Sequence, residues 1–242
     1  MTTWISHLRI AENLLAAIPF LHPEQFGIGN IAPDSGIPDE NWANFDPPKQ
    51  VTHFEQPGRE PDFRHLDMDF YRRYLQPVPW PSGDAQHFSF LLGYFFHLIT
   101  DNLWIQQVWR PTKARWLDQF ESTIALGHEV KGDWYGLDFI YVRDHPASFY
   151  WRVFLDSEYP QNYLDFMPDE AVPRNMTHIK EWYQTQDDEI KALYARPYTY
   201  LPKTEMDQFV VETTQTLQRI YNLIWTHNTE TVNLTSALEL LG

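Results

Sequence analysis

The sequence predicts a mainly α-helical fold with long loops in the first quarter of the chain. Apolar residues recur three and four positions apart in several stretches, whereas few stretches alternate between apolar and polar residues with a period of two. Hydrophobic residues make up 43% of the 242 residues, which is enough to fill a large core. We therefore expect one domain that covers residues 1–242.

Residues 4–18 form the first predicted helix, which Pro19 ends. Its apolar stripe, with steps of three and four residues, consists of Trp4, Leu8, Ala11, Leu15 and Ile18. Residues 20–62 are predicted to be irregular, because six prolines fall between positions 33 and 61. A long irregular stretch in a compact domain is usually functional or disordered, and its scattered apolar residues favour an ordered, functional loop.

The rest of the chain is predicted as a series of helices. A short helix at 63–75 ends before a proline-rich turn, and a long helix at 85–109 stops near Pro111. Thr204 and Asp207 have the spacing of a capping pair for a helix at 205–226. Only residues 139–142 favour a strand. Further helices are predicted at 112–126, 131–143, 147–156 and 174–195, with a last short one at 233–241.

The charge of the chain argues against several classes of partner. Its formal net charge is -15, so we expect neither a nucleic acid, whose phosphates attract Lys and Arg, nor an anionic membrane surface. No stretch reaches the roughly 18 apolar residues of a membrane span. The N-terminal residues also lack the basic start and apolar run of a secretory signal. We therefore expect a cytoplasmic protein without stable membrane insertion.

His97 and Asp101 are the strongest candidates for a functional site. They lie four residues apart within the most apolar stretch of the chain, residues 88–104, so a helix there would place both side chains on one face. A buried carboxylate is costly unless it is paired or binds a metal. The pair therefore indicates either half of a metal site or a His–Asp hydrogen bond within the core. Because the chain has no cysteine, the remaining ligands would be His or carboxylate, which leaves zinc, manganese and iron open.

Other candidate ligands are less informative one by one. His7, beside the apolar stripe of the first helix, is by itself typical of a core or boundary histidine. Asp34 lies in a Pro-Asp-Ser-Gly string that is typical of a turn. His53 lies in a short extended stretch and is uninformative alone. His65 and Asp67 are possible ligands that we interpret as ordinary polar residues.

Three segments resemble, in order, motifs of the bacterial zinc-dependent phospholipases C, whose fold the S1/P1 nucleases share. The segments are SHLRIA at 6–11, THF at 52–54 and LGYFFHLITD at 92–101. The resemblance covers about the first 105 residues. It implies a phospholipase C/P1 nuclease-like helical bundle that hydrolyses phosphate esters at a zinc cluster in a cleft.

The resemblance also implies a set of site residues. The family's acidic loop ligand, which is also its proposed general base, corresponds to Asp34. The histidine of its Ser-His-Phe motif corresponds to His53, and its helical His-x-x-x-Asp motif to His97 and Asp101. The histidine of its first helix corresponds to His7. These five residues would form one site for one or two zinc ions.

The sequence departs from the family's pattern at the remaining ligands. The family's mature chains begin with a tryptophan whose amine binds zinc, whereas three residues precede Trp4. A third zinc would need two histidines and a glutamate soon after the helical aspartate, but no histidine occurs at 102–119, and His128 and Glu129 are adjacent. Asp138 is a candidate replacement ligand, although a buried hydrogen bond to a tyrosine or to Arg143 explains it equally well.

Residues around the expected ligands suggest supporting roles. Arg9, Asn30 and Asn102 are candidates for hydrogen bonds that orient the ligands. Aromatic side chains could line a substrate cleft or belong to the core, and the candidates are Trp42, Phe54 and Tyr94.

The leading functional hypothesis is metal-dependent hydrolysis of phosphoric esters, with a phospholipid or a small phosphodiester as substrate. An alternative is a non-catalytic metal-binding or interaction protein that retains the fold. A further alternative is a nuclease-like phosphodiesterase, against which the net charge of -15 argues. An open coordination position beside Asp34 would favour catalysis, and a closed four-ligand site would favour a structural metal.

Overall fold

The computed structural model describes residues 2–40, 44–55 and 63–242. Ten α-helices dominate this part of the chain, and a two-stranded antiparallel sheet pairs Ile37–Pro38 with Phe45–Asp46. The prediction of a mainly α-helical fold is therefore confirmed. The helices are α1 Trp4–Ala17, α2 Pro23–Gly29, α3 Lys49–Thr52, α4 Asp67–Phe70, α5 Ala85–Trp104, α6 Arg110–Trp116, α7 Thr123–Asp144, α8 Ala171–Trp182, α9 Asp188–Tyr194 and α10 Lys203–Tyr221.

Short segments of other helical types extend or connect these helices. Three 3-10 turns cover Ala32–Asp34, Leu117–Gln119 and Ala237–Leu241. Four π-helical segments cover Tyr71–Leu75, Ile105–Trp109, Tyr150–Phe154 and Asn222–Thr226. The predicted helices at 147–156 and 233–241 thus exist only as a π-helical segment and a 3-10 turn.

The first quarter of the chain is more regular than predicted. Helix α1 agrees with the predicted 4–18 to within one residue, but 20–62 contains α2, a 3-10 turn, the small sheet and α3. Pro23 is compatible with α2 because it occupies the first turn, where its missing N–H would have no helical partner. Residues 41–43 and 56–62 of the predicted loop lie outside the described residues.

Several predicted helix boundaries in the middle of the chain are wrong. Pro111 does not stop the long helix, because the π-helical segment after α5 leads into α6 and the proline lies in the first turn of α6. The predicted helix 112–126 breaks before Ser122, whose side chain accepts a hydrogen bond from the Ala125 N–H and caps α7. Residues 139–142 belong to α7 and are not a strand.

The C-terminal helices also differ from their predicted limits. The predicted helix 174–195 is divided into α8 and α9, and the Asp187 side chain caps α9. Helix α10 begins after Pro202, whose side chain has no acceptor atom and cannot cap the helix. Asp207, the expected capping partner, pairs with Arg9 and Lys203.

Helix α5 lies at the centre of the core. Every residue from Phe88 to Trp104 is buried, and the Asp84 side chain caps the helix by accepting hydrogen bonds from two backbone N–H groups. Helix α2 packs along α5 at very short distance, since a Cβ on Gly29 would lie 2.1 Å from the Phe90 carbonyl oxygen. This close approach brings the chain that follows α2 beside His97.

Among the described residues, no helix combines the length and the apolar character that a membrane crossing requires.

Candidate metal centre

Five of the six predicted ligands converge in the interior. They come from the first helix, the first 3-10 turn, the end of α3 and the middle of α5. The structure forms two overlapping groups, His7 with His97 and Asp101, and Asp34 with His53 and His97; within each group, the potential ligand atoms lie within 4.8 Å of one another. Residues far apart in the sequence thus form one cluster of a size that suits metal ligation.

Asp101 is central to the cluster because its two oxygens face different histidines. Oδ1 lies 3.5 Å from Nε2 of His7. Oδ2 lies 3.6 Å from Nε2 of His97 and 3.8 Å from Nε2 of both His53 and His65. A carboxylate in this position can bind one ion or bridge two.

His97 is oriented by the chain segment that follows α2. Its Nδ1 lies 2.7 Å from the carbonyl oxygen of Asn30, and because a carbonyl only accepts, Nδ1 carries the proton. Nε2 of the neutral ring is therefore a lone-pair donor directed into the cluster. The ring also stacks on that of His7, with 3.9 Å between ring centroids. Asn30 thus has the supporting role that the sequence suggested.

His53 is directed into the cluster from the other side. The Thr52 hydroxyl lies 2.9 Å from its Nδ1, while its Nε2 lies 3.4 Å from Oδ1 of Asp34 and 3.4 Å from Nε2 of His97. Two imidazole Nε2 atoms this close need a proton or a cation between them, because their lone pairs would otherwise repel each other.

Several polar atoms of the cluster are buried without a hydrogen-bond partner. Such atoms cost about 1–3 kcal/mol each when they are left unsatisfied. Metal ligation would use their lone pairs, so the donor set fits a cation of the zinc type. Within the described part of the chain, the atoms are both ring nitrogens of His7, Oδ1 of Asp34, Nε2 of His65 and Oδ2 of Asp101.

Burial and local charge set the protonation state of the cluster. Burial lowers the pKa of His97 to about 3, and the nearby His7 acts in the same direction. Burial likewise lowers the pKa of His65 to about 3. Burial by itself raises the pKa of Asp34 and of Asp101, but hydrogen bonds and coulombic attraction outweigh it and hold both below the usual range. Near neutral pH, the two imidazoles are neutral and the two carboxylates ionised, which is the state that binds cations.

His65, a possible ligand that the sequence led us to interpret as an ordinary polar residue, faces the cluster. Its Nδ1 lies 3.2 Å from the His53 carbonyl oxygen, which leaves its Nε2 facing Asp101. Asn102 holds this segment, because its Oδ1 accepts from the His65 N–H and its Nδ2 donates to the His65 carbonyl oxygen. No local pattern marks His65, since these contacts join residues 37 positions apart.

Asp138 lies apart from both groups. Its Oδ1 accepts a hydrogen bond of 2.7 Å from the Thr3 hydroxyl, and its Oδ2 accepts one of 2.6 Å from the Tyr183 hydroxyl. Arg143 pairs with Asp144 instead. The structure thus shows the buried hydrogen bond to a tyrosine, which was the alternative to metal ligation.

The other residues that the sequence suggested for supporting roles or for a substrate cleft do not contact the cluster in the part of the chain that the structure describes. Arg9 pairs with Asp207 at 2.6 Å and has no contact with the cluster among the interactions of the described residues. Phe54 and Tyr94 both pack on Phe70. Tyr94 belongs to the core, and the partly buried Phe54 packs against it. Trp42 lies outside the described residues.

A cavity of about 540 Å³ adjoins the cluster, and Asp34 and His65 form part of its wall. Aromatic side chains line it too, including Trp4, Phe45 and Tyr135. Four basic side chains also line it, and they are Lys49, Arg64, Lys131 and Arg174. The arrangement offers cation ligands, apolar surface and positive charge to one bound molecule.

No family model, curated protein or solved structure matches this chain. The fold class and the cluster described above are therefore observations on this chain alone. Its likeness to the zinc-dependent phospholipases C remains a resemblance in three motifs.

Proposed function

We propose that this protein is a metal-dependent hydrolase of phosphoric esters, similar to the zinc-dependent phospholipases C, with one or two zinc ions. The observation that carries the proposal is the His/Asp cluster beside a cavity with basic side chains. Cation ligands and positive charge in one cavity suit an anionic phosphate, and the aromatic part of the wall suits an apolar substituent. The substrate class is a phospholipid or a small phosphodiester.

The residues of the cluster have separate roles in this proposal. His53, His97, Asp34 and Asp101 would hold one ion, and the second oxygen of Asp101 together with His7 would hold another. When bound, the ions would supply Lewis acidity toward a phosphate oxygen and toward water. The chain itself supplies neutral imidazoles and ionised carboxylates as ligands, and it excludes bulk water from the side of the cluster that faces the core.

Asp34 is the proposed general base. It lines the cavity and is the member of the two ligand groups that is not fully buried, so that a water molecule between it and the substrate is sterically possible. Its pKa lies below the usual range, so it is ionised at neutral pH, which is the state that a general base needs. Lys49, which also lines the cavity, adds to the attraction that keeps Asp34 ionised.

We further propose that the helices form a phospholipase C/P1 nuclease-like bundle. The support is that the three motifs occur in the family's order and that their histidines and aspartate lie together in space.

The test is hydrolysis of bis(p-nitrophenyl) phosphate by the purified protein and by the Asp34→Asn variant. We expect the wild type to release p-nitrophenol and a chelator to abolish the release. For Asp34→Asn we expect kcat to fall by roughly a hundredfold to ten-thousandfold, the usual contribution of a general base. Asp138→Asn is the control, because Asp138 is a buried acid outside the cluster, and its kcat should stay within about threefold of the wild type.

Chelator-resistant hydrolysis, or an Asp34→Asn variant as active as the control, would contradict the proposal. A wild type that binds metal but hydrolyses no phosphoester would favour the non-catalytic metal-binding protein instead.

A further inference from the structure

The basic side chains of the cavity come from four separate parts of the fold. Lys49 begins α3, Arg64 directly precedes His65, Lys131 lies on α7 and Arg174 lies on α8. We call these four residues the basic wall. The chain has 33 acidic and only 18 basic residues. Four bases around one cavity are therefore a local reversal of the overall charge.

Among the described residues, two members of the basic wall have no acidic partner. A third member, Arg64, pairs with Glu55, which also lines the cavity, at 3.2 Å. Lys131 and Arg174 make no ion pair with any residue that the structure describes. In a chain with an excess of acids, cations that face a cavity without a partner indicate an anionic ligand.

Two members of the basic wall, Lys49 and Lys131, repel each other. Burial lowers the pKa of Lys131, and the charge of Lys49 lowers it further. The two ammonium groups are therefore close enough to repel each other across the cavity. Anionic groups of a bound ligand would relieve this repulsion.

The positions of these cations indicate where charge lies on the ligand. Lys49 acts on Asp34 and so lies at the metal end of the cavity. Lys131 and Arg174 lie on helices that contribute no residue to the two ligand groups. A phosphodiester group carries one negative charge, which the metal ions and Lys49 would already balance. Lys131 and Arg174 then remain for a second anionic group, and a cationic substituent would be repelled.

We propose that the substrate carries a second anionic group on one of its ester substituents, and that Lys131 and Arg174 bind this group and determine specificity. This inference rests on the proposed phosphoester hydrolase function. Metal ligation and the attack on the phosphate involve neither residue.

The test uses three p-nitrophenyl phosphodiesters that differ only in the second substituent, which is ethyl, choline or 2-phosphoethyl. With the wild type we expect the KM of the 2-phosphoethyl ester to be at least about tenfold below that of the ethyl ester, and the choline ester to have the highest KM. In Lys131→Gln/Arg174→Gln the three KM values should converge. A wild type that does not prefer the 2-phosphoethyl ester, or a variant that keeps the preference, would overturn the inference.

The matched control is Lys191→Gln/Arg219→Gln, which removes the same two charges from helices α9 and α10. Neither residue lines the cavity. The control should keep the wild-type order of KM values, and a loss of preference in it would assign the effect to overall charge and overturn the inference.

A binding measurement separates this inference from the proposed function. By calorimetry, 1,2-ethanediol bisphosphate should bind to the purified wild type at least about tenfold more tightly than ethyl phosphate, and the Lys131→Gln/Arg174→Gln variant should lose this difference. If no ester is hydrolysed but this binding result holds, the hydrolase function fails and the anion site stands. If esters are hydrolysed but the wild type binds both phosphates equally, the anion site fails and the hydrolase function stands.

Discussion

Asp101 and Asp138 show how two equally buried carboxyl groups acquire opposite properties from their neighbours. Histidines surround Asp101, and its pKa lies well below the usual range even though burial raises it. Asp138 is hydrogen-bonded by neutral hydroxyl groups, and burial raises its pKa to about 7. Asp101 is thus suited to hold a cation, whereas Asp138 is suited to hold a proton.

Asp138 gives a pH-dependent prediction for stability. Its pKa in the folded protein, about 7, exceeds the ordinary value of 3.8, so the folded state holds a proton between these pH values that the unfolded state has released. Its contribution to stability is complete below about pH 4 and is lost as the pH rises toward 7. Relative to Asp138→Asn, whose side chain is always neutral, the wild type should lose roughly 1.4 kcal/mol per pH unit over this range.

Urea unfolding of both proteins at pH 4.5, 5.5 and 6.5 measures this difference. Parallel stability profiles would contradict the account, because they would mean that Asp138 is ionised in the folded protein. In that case metal ligation by Asp138 would again need consideration.

At the residue scale, the sequence was informative where the relevant contact is local. His97 and Asp101 could be paired because a helix places residues four apart on one face. The choice between ligand and hydrogen-bonded acid for Asp138 could not be made, because its partners Thr3 and Tyr183 are distant in sequence. His65 was interpreted as an ordinary polar residue for the same reason, since its position depends on hydrogen bonds to the distant Asn102.

At the scale of elements, the crossing of α2 and α5 positions half of the candidate site. Gly29 and Gly93 face each other's helices, and a Cβ on Gly93 would lie 2.4 Å from the Phe26 carbonyl oxygen. The Asn30 carbonyl that orients His97 follows directly after α2. The distance between the two helix backbones therefore controls the orientation of the His97 side chain.

Gly29→Ala tests this relation. The added Cβ would lie 2.1 Å from the Phe90 carbonyl oxygen, which is backbone and cannot move easily. We expect a loss of about 1–3 kcal/mol of stability from overpacking, together with weaker metal binding as Asn30 shifts away from His97. Chemical unfolding and metal titration measure the two effects.

Gly127→Ala on α7 is the matched control, because its Cβ would meet only one atom within 4 Å, at 3.9 Å on Trp109. This substitution should be neutral or stabilise the protein by up to about 1 kcal/mol, as alanine is the better helix former. Equal effects of the two substitutions would show that the crossing distance does not matter.

Close packing of its two glycines explains why α2 was not predicted. Its sequence, PEQFGIG, contains a proline and two glycines, which are typical of a loop. Both glycines are instead sites of close approach, since a Cβ on Gly27 would lie 2.5 Å from the Phe149 ring. Helices α1 and α5, whose apolar patterns are uninterrupted, could be predicted from periodicity alone.

At the scale of the whole molecule, the cluster joins segments that are distant in sequence. Its residues come from α1, the 3-10 turn Ala32–Asp34, the end of α3, the segment around His65 and α5. A bound ion would cross-link these segments, and its binding free energy would stabilise the folded state.

Metal removal should therefore lower the melting temperature. At a free metal concentration about 100 times the Kd, ligation contributes about 2.7 kcal/mol. For a chain of this size that corresponds to a decrease in Tm of roughly 5–10 °C on addition of a chelator. Differential scanning calorimetry with and without chelator measures the decrease, and an unchanged Tm would contradict a metal cross-link.

Properties of the whole chain were only partly predictable. From the net charge of -15 we expect no nucleic acid as a partner, and this stays a prediction. The basic wall was not foreseen, because its four members come from four separate elements and no basic run in the sequence announces it. Only the resemblance in three motifs predicted that the five residues form one cluster. Taken one by one, most of them showed no pattern that indicates a metal site.

The most direct test of the central claim is elemental analysis of protein purified without chelator. Wild type is compared with His97→Ala/Asp101→Ala and with a surface control, Asp144→Ala/His145→Ala, which removes an adjacent exposed acid and histidine. We expect about one or two equivalents of zinc or a similar metal in the wild type and the control, and almost none in the cluster variant. A folded wild type that contains no metal and cannot be loaded would contradict the account, and it would reduce His97 and Asp101 to a pair within the core.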